Sequence, residues 1–79
     1  MRVFTVQELS GYNGKDGAPA FIAYQGVIYD VSGSYFFRGG RHWVHHSAGS
    51  DLSDEIDEAP HDGSLVQRFP IVGFLSPLT

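Results

Sequence analysis

The sequence predicts one small α+β domain over residues 1–79. Three observations carry this. Two short apolar runs, 20–24 and 27–31, flank Gln25-Gly26 and read as a β-hairpin. A third run, Ile71-Val72-Gly73-Phe74-Leu75, follows a proline near the end of the chain. Between these strands lie short segments with helical start signals, so strands and helices are segregated along the chain.

Each element has a local reason. Thr5-Val6-Gln7-Glu8 is a capping box: the threonine hydroxyl accepts from an amide three residues on, and the glutamate reaches back. A helix of about two turns should follow and end near Gly11. Residues 12–19 are rich in Gly, Asn and Asp and read as a loop. The hairpin comes next, and Ser32-Gly33-Ser34 breaks its second strand. Residues 35–49 hold Gly39-Gly40 and a histidine cluster, with room for one or two helical turns. Ser50 is placed to cap an acidic helix over about 51–59, with Leu52, Ile56 and Ala59 on one face. Residues 60–63 form a break. Ser64 then caps a short helix over 65–69 that Pro70 stops.

A domain of this size buries only roughly 60–65% of its unfolded surface, so its core alone gives marginal stability. Such chains commonly gain stability from a disulfide, metal, cofactor or partner. The absence of cysteine removes disulfides, thiolate metal sites and cysteine nucleophiles. The net charge of −4 argues against nucleic acid and suits a basic protein partner. No apolar run approaches the roughly 20 residues that span a bilayer. The start Met1-Arg2-Val3-Phe4 lacks the regions of a signal peptide, so the expectation is a soluble, cytoplasmic protein.

The four histidines are the candidates for chemistry. His42, His45 and His46 cluster within five residues, and His61 follows the acidic helix. If the cluster is helical, His42 and His46 share a face as an i, i+4 pair. Two histidine stations then flank the apolar stripe of Leu52 and Ile56. Haem uses such an arrangement, with imidazole on iron and an apolar slot for the porphyrin. Two other readings stand beside it. Histidines in an acidic chain most often form a solvated, pH-sensitive patch. A His-x-x-x-His pair can also supply half a zinc site, although Trp43 stands where the zinc-protease motif has glutamate. Trp43 and Tyr24 suit either a cofactor slot or plain core. No Gly-x-Ser-x-Gly elbow or complete phosphate loop is present. Residues 54, 55, 57 and 58 read as the wet face of a helix.

The order of segments resembles the cytochrome b5-like haem-binding family over nearly the whole chain. Phe4-Thr5-Val6-Gln7-Glu8-Leu9 is similar to its opening strand and helix. The run from Phe21 to Val31 is similar to its central hairpin. Ala48-Gly49-Ser50-Asp51-Leu52-Ser53 resembles its Ala-Gly-x-Asp-x-Thr/Ser motif, and Val72-Gly73-Phe74-Leu75 its closing strand. The resemblance implies a small mixed sheet with short helices forming a haem pocket. It implies haem b as cofactor and electron transfer as function, without enzymatic activity.

By the same resemblance, His61 falls where the family places an axial ligand, at a fixed distance after the Ala-Gly motif. Ile56 and Tyr24 fall at haem contacts. The family's His-Pro-Gly-Gly motif is absent, and its place by counting is near Phe37. The chain is here similar to the short prokaryotic branch, close to the membrane-associated progesterone-receptor type. That type uses a tyrosine just before Ala-Gly, and no tyrosine stands there in this chain. A histidine must serve instead: His42 is favoured because it follows the Gly39-Gly40 turn, His46 is its rival at the haem edge, and His45 is a bystander. The implied pocket lining is Tyr24, Val31, Tyr35, Phe36, Trp43, Leu52, Ile56, Leu65, Val66 and Phe69. Two histidine ligands leave iron no open position, so electron exchange with a basic redox partner is the implied role. A haem or small-ligand module with no carrier role is the alternative.

Overall fold

The computed structural model describes residues 2–33, 41–42, 46–54 and 66–77, with 41–42 and 46–47 described by backbone alone. The first strand, β1 (Arg2–Phe4), leads directly into helix α1 (Val6–Ser10). The capping box forms as expected. The Glu8 amide donates to Thr5 Oγ1 (3.0 Å), and the Thr5 amide donates to Glu8 Oε1 (2.9 Å). Two of the orphan donors at the helix start are thereby satisfied. Gly11 closes the helix in a right-handed conformation, so its role there is not a left-handed cap.

The hairpin is β2 (Phe21–Tyr24) and β3 (Val27–Asp30). Gln25 and Gly26 both take positive φ, at 50° and 81°. That pair of angles fits the twist of two antiparallel strands joined by two residues. The last strand, β6 (Ile71–Leu75), lies between β1 and β3. The sheet order is β1-β6-β3-β2, with β1 parallel to β6 and the other neighbours antiparallel. Opposite β3 the register slips between Ile28 and Tyr29, so Ile28 pairs with Gly73 and Tyr29 with Ile71. Val72 is the extra residue of this bulge, and the slip keeps Ile71 and Phe74 on one face.

Alternation along the strands divides the core in two. One face carries Ile22, Tyr24 and Tyr29, packed with Ala20, Val31, Ala48, Leu52 and Val66, and with Val27 and Phe69 half-buried around them. The other carries Phe4, Ala23 and Ile28 with Leu9 of α1, flanked by Tyr12, Phe21, Val72 and Leu75. On this second face Tyr12 stacks on Phe21 (centroids 4.5 Å apart), and Phe4 meets both rings edge-on. The Arg2 guanidinium lies 4.2 Å from the Phe4 ring centroid and pairs with Glu8.

Three expectations need correction. The histidine segment is not helical where it is described. Its backbone forms β4 (Arg41–His42) and β5 (His46–Ser47), a two-stranded antiparallel ladder. Ladder pairing across a three-residue connection overrides a helix that the spacing alone permitted. Second, the acidic helix does not begin at Asp51. Asp51 forms a parallel bridge with Ala23 of β2, and helical backbone begins at Ser53. The Asp51 carboxylate accepts from the Ser53 amide (3.0 Å). Third, the last helix shrinks to a single 3-10 turn, Val66–Arg68, which the Phe69 amide extends by donating to the Val66 carbonyl (3.0 Å).

Candidate functional site

The first apolar cluster is where the site residues meet. Of the ten residues expected to line a pocket, Tyr24, Val31, Leu52, Val66 and Phe69 are described, and all five belong to that cluster. They come from four separate stretches of chain. β2 contributes Tyr24, and Val31 lies just beyond β3. Leu52 lies after the Ala-Gly segment, and the 3-10 turn contributes Val66. Tyr24 is only 6% exposed and Val31 fully buried, so this wall is dry. Tyr35, Phe36, Trp43, Ile56 and Leu65 lie outside the described residues, as do His45 and His61.

What holds the wall together is the segment Ala48-Gly49-Ser50-Asp51-Leu52-Ser53, which adds itself to the edge of β2. The Gly49 amide donates to the Phe21 carbonyl (2.7 Å), and the Ala23 amide donates to the Ser50 carbonyl (3.0 Å). The Leu52 amide then donates to the Ala23 carbonyl (2.9 Å). These bonds satisfy an otherwise open strand edge. They also fix the register that turns Ala48 and Leu52 into the cluster. Gly49 sits at φ 91°, and a Cβ there would lie 3.1 Å from the Ser10 carbonyl and 3.3 Å from Asn13 Cβ. Only glycine suits both the angle and the space.

Ser53 finishes the attachment. Its hydroxyl accepts from the Gln25 amide (2.7 Å) and donates to Asp51 Oδ1 (2.5 Å). One side chain thereby ties the helix start to the hairpin turn and to the carboxylate that caps it. On the other flank, the Val31 amide donates to the Ala20 carbonyl (2.8 Å), and the Ala20 amide donates to Ser32 Oγ (2.8 Å). Tyr24 keeps a polar partner at its hydroxyl, which accepts from Gln25 Nε2 at 3.4 Å.

Sequence reasoning missed Ala20, Ile22, Tyr29 and Ala48, which share the cluster. Period-two alternation from Tyr24 reaches Ile22, and the hairpin register pairs Ile22 with Tyr29. The signal was present for those two. The burial of Ala48 depends on the Gly49–Phe21 bond, which no local pattern announces.

Two histidines of the cluster, His42 and His46, have a described backbone. His42 and His46 are register partners on one rung of the β4–β5 ladder, and Arg41 pairs with Ser47 on the next. β5 runs straight into buried Ala48. Asp51 and Asp54, both exposed, bracket buried Leu52 and place negative charge beside the apolar wall. Among the described residues, no helix is long and apolar enough to cross a membrane.

Comparison with known proteins gives a consistent picture. Residues 5–76 match the family model described as a cytochrome b5-like heme/steroid binding domain. The chain is similar to a solved Hadesarchaea cytochrome b5 domain protein, with 56% identity and a TM-score of 0.93 over 96% of this chain and 100% of that one. It is also similar to a Methanococcoides burtonii cytochrome b5 domain protein, with 43% identity and a TM-score of 0.92 over 96% and 99% of the two chains. A hypothetical protein from Arabidopsis thaliana, described as having a cytochrome b5 like fold, shares the fold at 23% identity and a TM-score of 0.73, over 100% of this chain and 93% of that one. A search of curated proteins finds no match.

Proposed function

The chain belongs to the cytochrome b5-like heme/steroid binding family, and from that premise we propose that it is a b-type haem protein that carries electrons. The observation that supports this most is the dry apolar wall assembled from Tyr24, Val31, Leu52, Val66 and Phe69. Haem needs an apolar surface for its macrocycle and a side-chain ligand for its iron, for which imidazole serves. The chain has both, and the donor set suits haem iron: imidazoles are present, while cysteine is absent. The residues therefore fit the group.

In this reading His42 and His61 would hold the iron, and His46 would stand near the haem. The bound group supplies a one-electron couple between ferric and ferrous iron. The protein's part is to exclude water, keep the wall rigid and orient the imidazoles. Hydrogen bonds from the Ala-Gly segment to β2 serve that rigidity. Asp51 and Asp54, within a chain of net charge −4, suit transient docking of a basic redox partner. Such docking should weaken as ionic strength rises. We place the protein in the cytoplasm and assign it no enzymatic turnover.

An optical spectrum of the purified protein with added hemin tests this. A sharp Soret band, with narrow α and β bands after dithionite reduction, is the expected result. A five-coordinate, high-spin spectrum would favour a ligand-binding module in place of a carrier, the alternative that the heme/steroid description of the family keeps in view. No binding at all would refute the haem reading.

A further inference from the structure

Asn13 is the single asparagine of the chain, and a glycine follows it. In an Asn-Gly pair the glycine nitrogen attacks the side-chain carbonyl carbon with little steric resistance, because glycine has no Cβ and rotates freely. The fold holds this reactive pair in a setting that opposes the attack.

Residues 12–21 form a small hairpin of their own. The Phe21 amide donates to the Tyr12 carbonyl (2.9 Å), and the Gly14 amide donates to the Pro19 carbonyl (3.1 Å). Between these bonds Asn13 forms an antiparallel bridge with Ala20. The Ala18 amide closes the tip by donating to the Lys15 carbonyl (3.0 Å). Both reacting groups are engaged. The proton that the Gly14 nitrogen must give up is held by the Pro19 carbonyl, and Asn13 Oδ1 accepts from the Lys15 amide (3.0 Å). Ring closure needs rotation of the Asn13 backbone, which breaks the bonds that flank it. Asn13 is also half-buried against Gly49: a Cβ built on Gly49 would lie 3.3 Å from Asn13 Cβ. The residue that can react is therefore packed against the segment that brings Ala48 and Leu52 into the first cluster.

We propose that Asn13 is a latent deamidation site, closed in the folded chain and exposed whenever the 12–21 hairpin opens. The bond between Gly14 nitrogen and Asn13 Cγ forms, the Cγ–Nδ2 bond breaks, and ammonia leaves with the proton from Gly14. Water then opens the cyclic imide. Cleavage of the new N–Cγ bond gives aspartate. Cleavage of the original peptide N–C bond gives isoaspartate, whose backbone runs through Cβ and Cγ. Water enters, ammonia departs, and the chain gains one negative charge. The isoaspartyl backbone is one atom longer, so the hydrogen bonds on either side of residue 13 no longer share one register. A chain that has reacted returns to a looser fold, which makes an opening event irreversible.

The test incubates the full chain at mildly alkaline pH, in buffer and in urea above its unfolding transition. Peptide mass spectrometry follows the loss of Asn13 with time. The unfolded chain should deamidate at Asn13. The folded chain should do so more than about thirtyfold more slowly, the factor that about 2 kcal/mol of local stability supplies. Equal rates in the two conditions overturn the proposal, as does an unfolded chain that keeps Asn13 intact. The isoaspartyl product, separated by ion exchange and refolded, is then melted in urea beside Asn13→Asp. That variant adds the charge without lengthening the backbone and keeps an acceptor for the Lys15 amide, so it should melt near the unmodified chain. The isoaspartyl chain should melt at lower urea. Coincident melts of the isoaspartyl chain and Asn13→Asp overturn the irreversible step.

Discussion

Gly73→Ala should unfold this domain more effectively than its single added methyl group suggests. Gly73 lies at the centre of the sheet, on the rung that joins Arg2 of β1, Ile28 of β3 and Ala23 of β2. A Cβ at Gly73 would sit 2.2 Å from the Arg2 carbonyl oxygen and 2.8 Å from Phe4 Cε1. Ordinary carbon–oxygen contacts start near about 3.3 Å, so β1 must retreat by roughly 1 Å. The obstacle is backbone, and no rotamer change relieves it. Overpacking of this kind costs about 1–3 kcal/mol. Straining the parallel β1–β6 bonds adds about 1 kcal/mol. The entropy gained by replacing glycine returns about 0.5–1 kcal/mol. The net loss is about 1–3.5 kcal/mol, against a total of about 4–12 kcal/mol for a chain of this length. At about 4–8 °C per kcal/mol, Tm should fall by roughly 4–28 °C. Gly26→Ala is the matched comparison. Gly26 has φ 81° and nothing within 4 Å of a built Cβ, so it meets strain without a clash. It should cost only about 1 kcal/mol. Circular dichroism melts of both variants, at equal hemin loading, measure the difference. A Gly73→Ala melt as mild as that of Gly26→Ala would refute the argument.

Two further outcomes follow from side-chain hydrogen bonds. Ser53→Ala removes the acceptor for the Gln25 amide and the donor to Asp51, and should lower urea stability by about 1–3 kcal/mol, whereas Ser53→Thr keeps the hydroxyl and should stay within about 0.5 kcal/mol. The Glu8 carboxyl is held below its ordinary value, first by the Thr5 amide and then by Arg2. A lowered carboxylate stabilises the fold fully above the unfolded value, roughly 4.3, and the stabilisation disappears as pH falls through the lowered folded value. Acid titration of the unmodified chain against Glu8→Gln should therefore show a stability difference that is level near neutrality and shrinks below about pH 4. A difference that grows with acidification would contradict the sign.

Much of the fold was legible because its determinants are local. The Thr5–Glu8 box acts over three residues, and the Gln25-Gly26 turn specifies the register of β2 and β3 by itself. Ile71–Leu75 reads as a strand from its own composition and from Pro70 before it. The first apolar cluster was half legible. Tyr24, Val31, Leu52, Val66 and Phe69 were chosen by resemblance and pattern, and they do converge. Ile22, Tyr29 and Ala48 were passed over because their place depends on how distant segments pair.

What the sequence determined by itself, then, was the kind of pieces and the chemistry available to them: a capped helix, a hairpin, an apolar closing strand, and imidazoles without thiols. What only the tertiary structure decided was which pieces meet. The parallel pairing of β1 with β6 joins opposite ends of the chain, and it makes Gly73 a matter of space rather than of backbone angle. The bonds that join Gly49, Ser50 and Leu52 to β2 bring Ala48 and Leu52 into the apolar cluster. The rung that pairs His42 with His46 replaced a helical spacing with a ladder. A spacing of four residues fits one turn of helix and also a tight hairpin. Local preference separates the two by too little free energy, and long-range pairing settles the outcome.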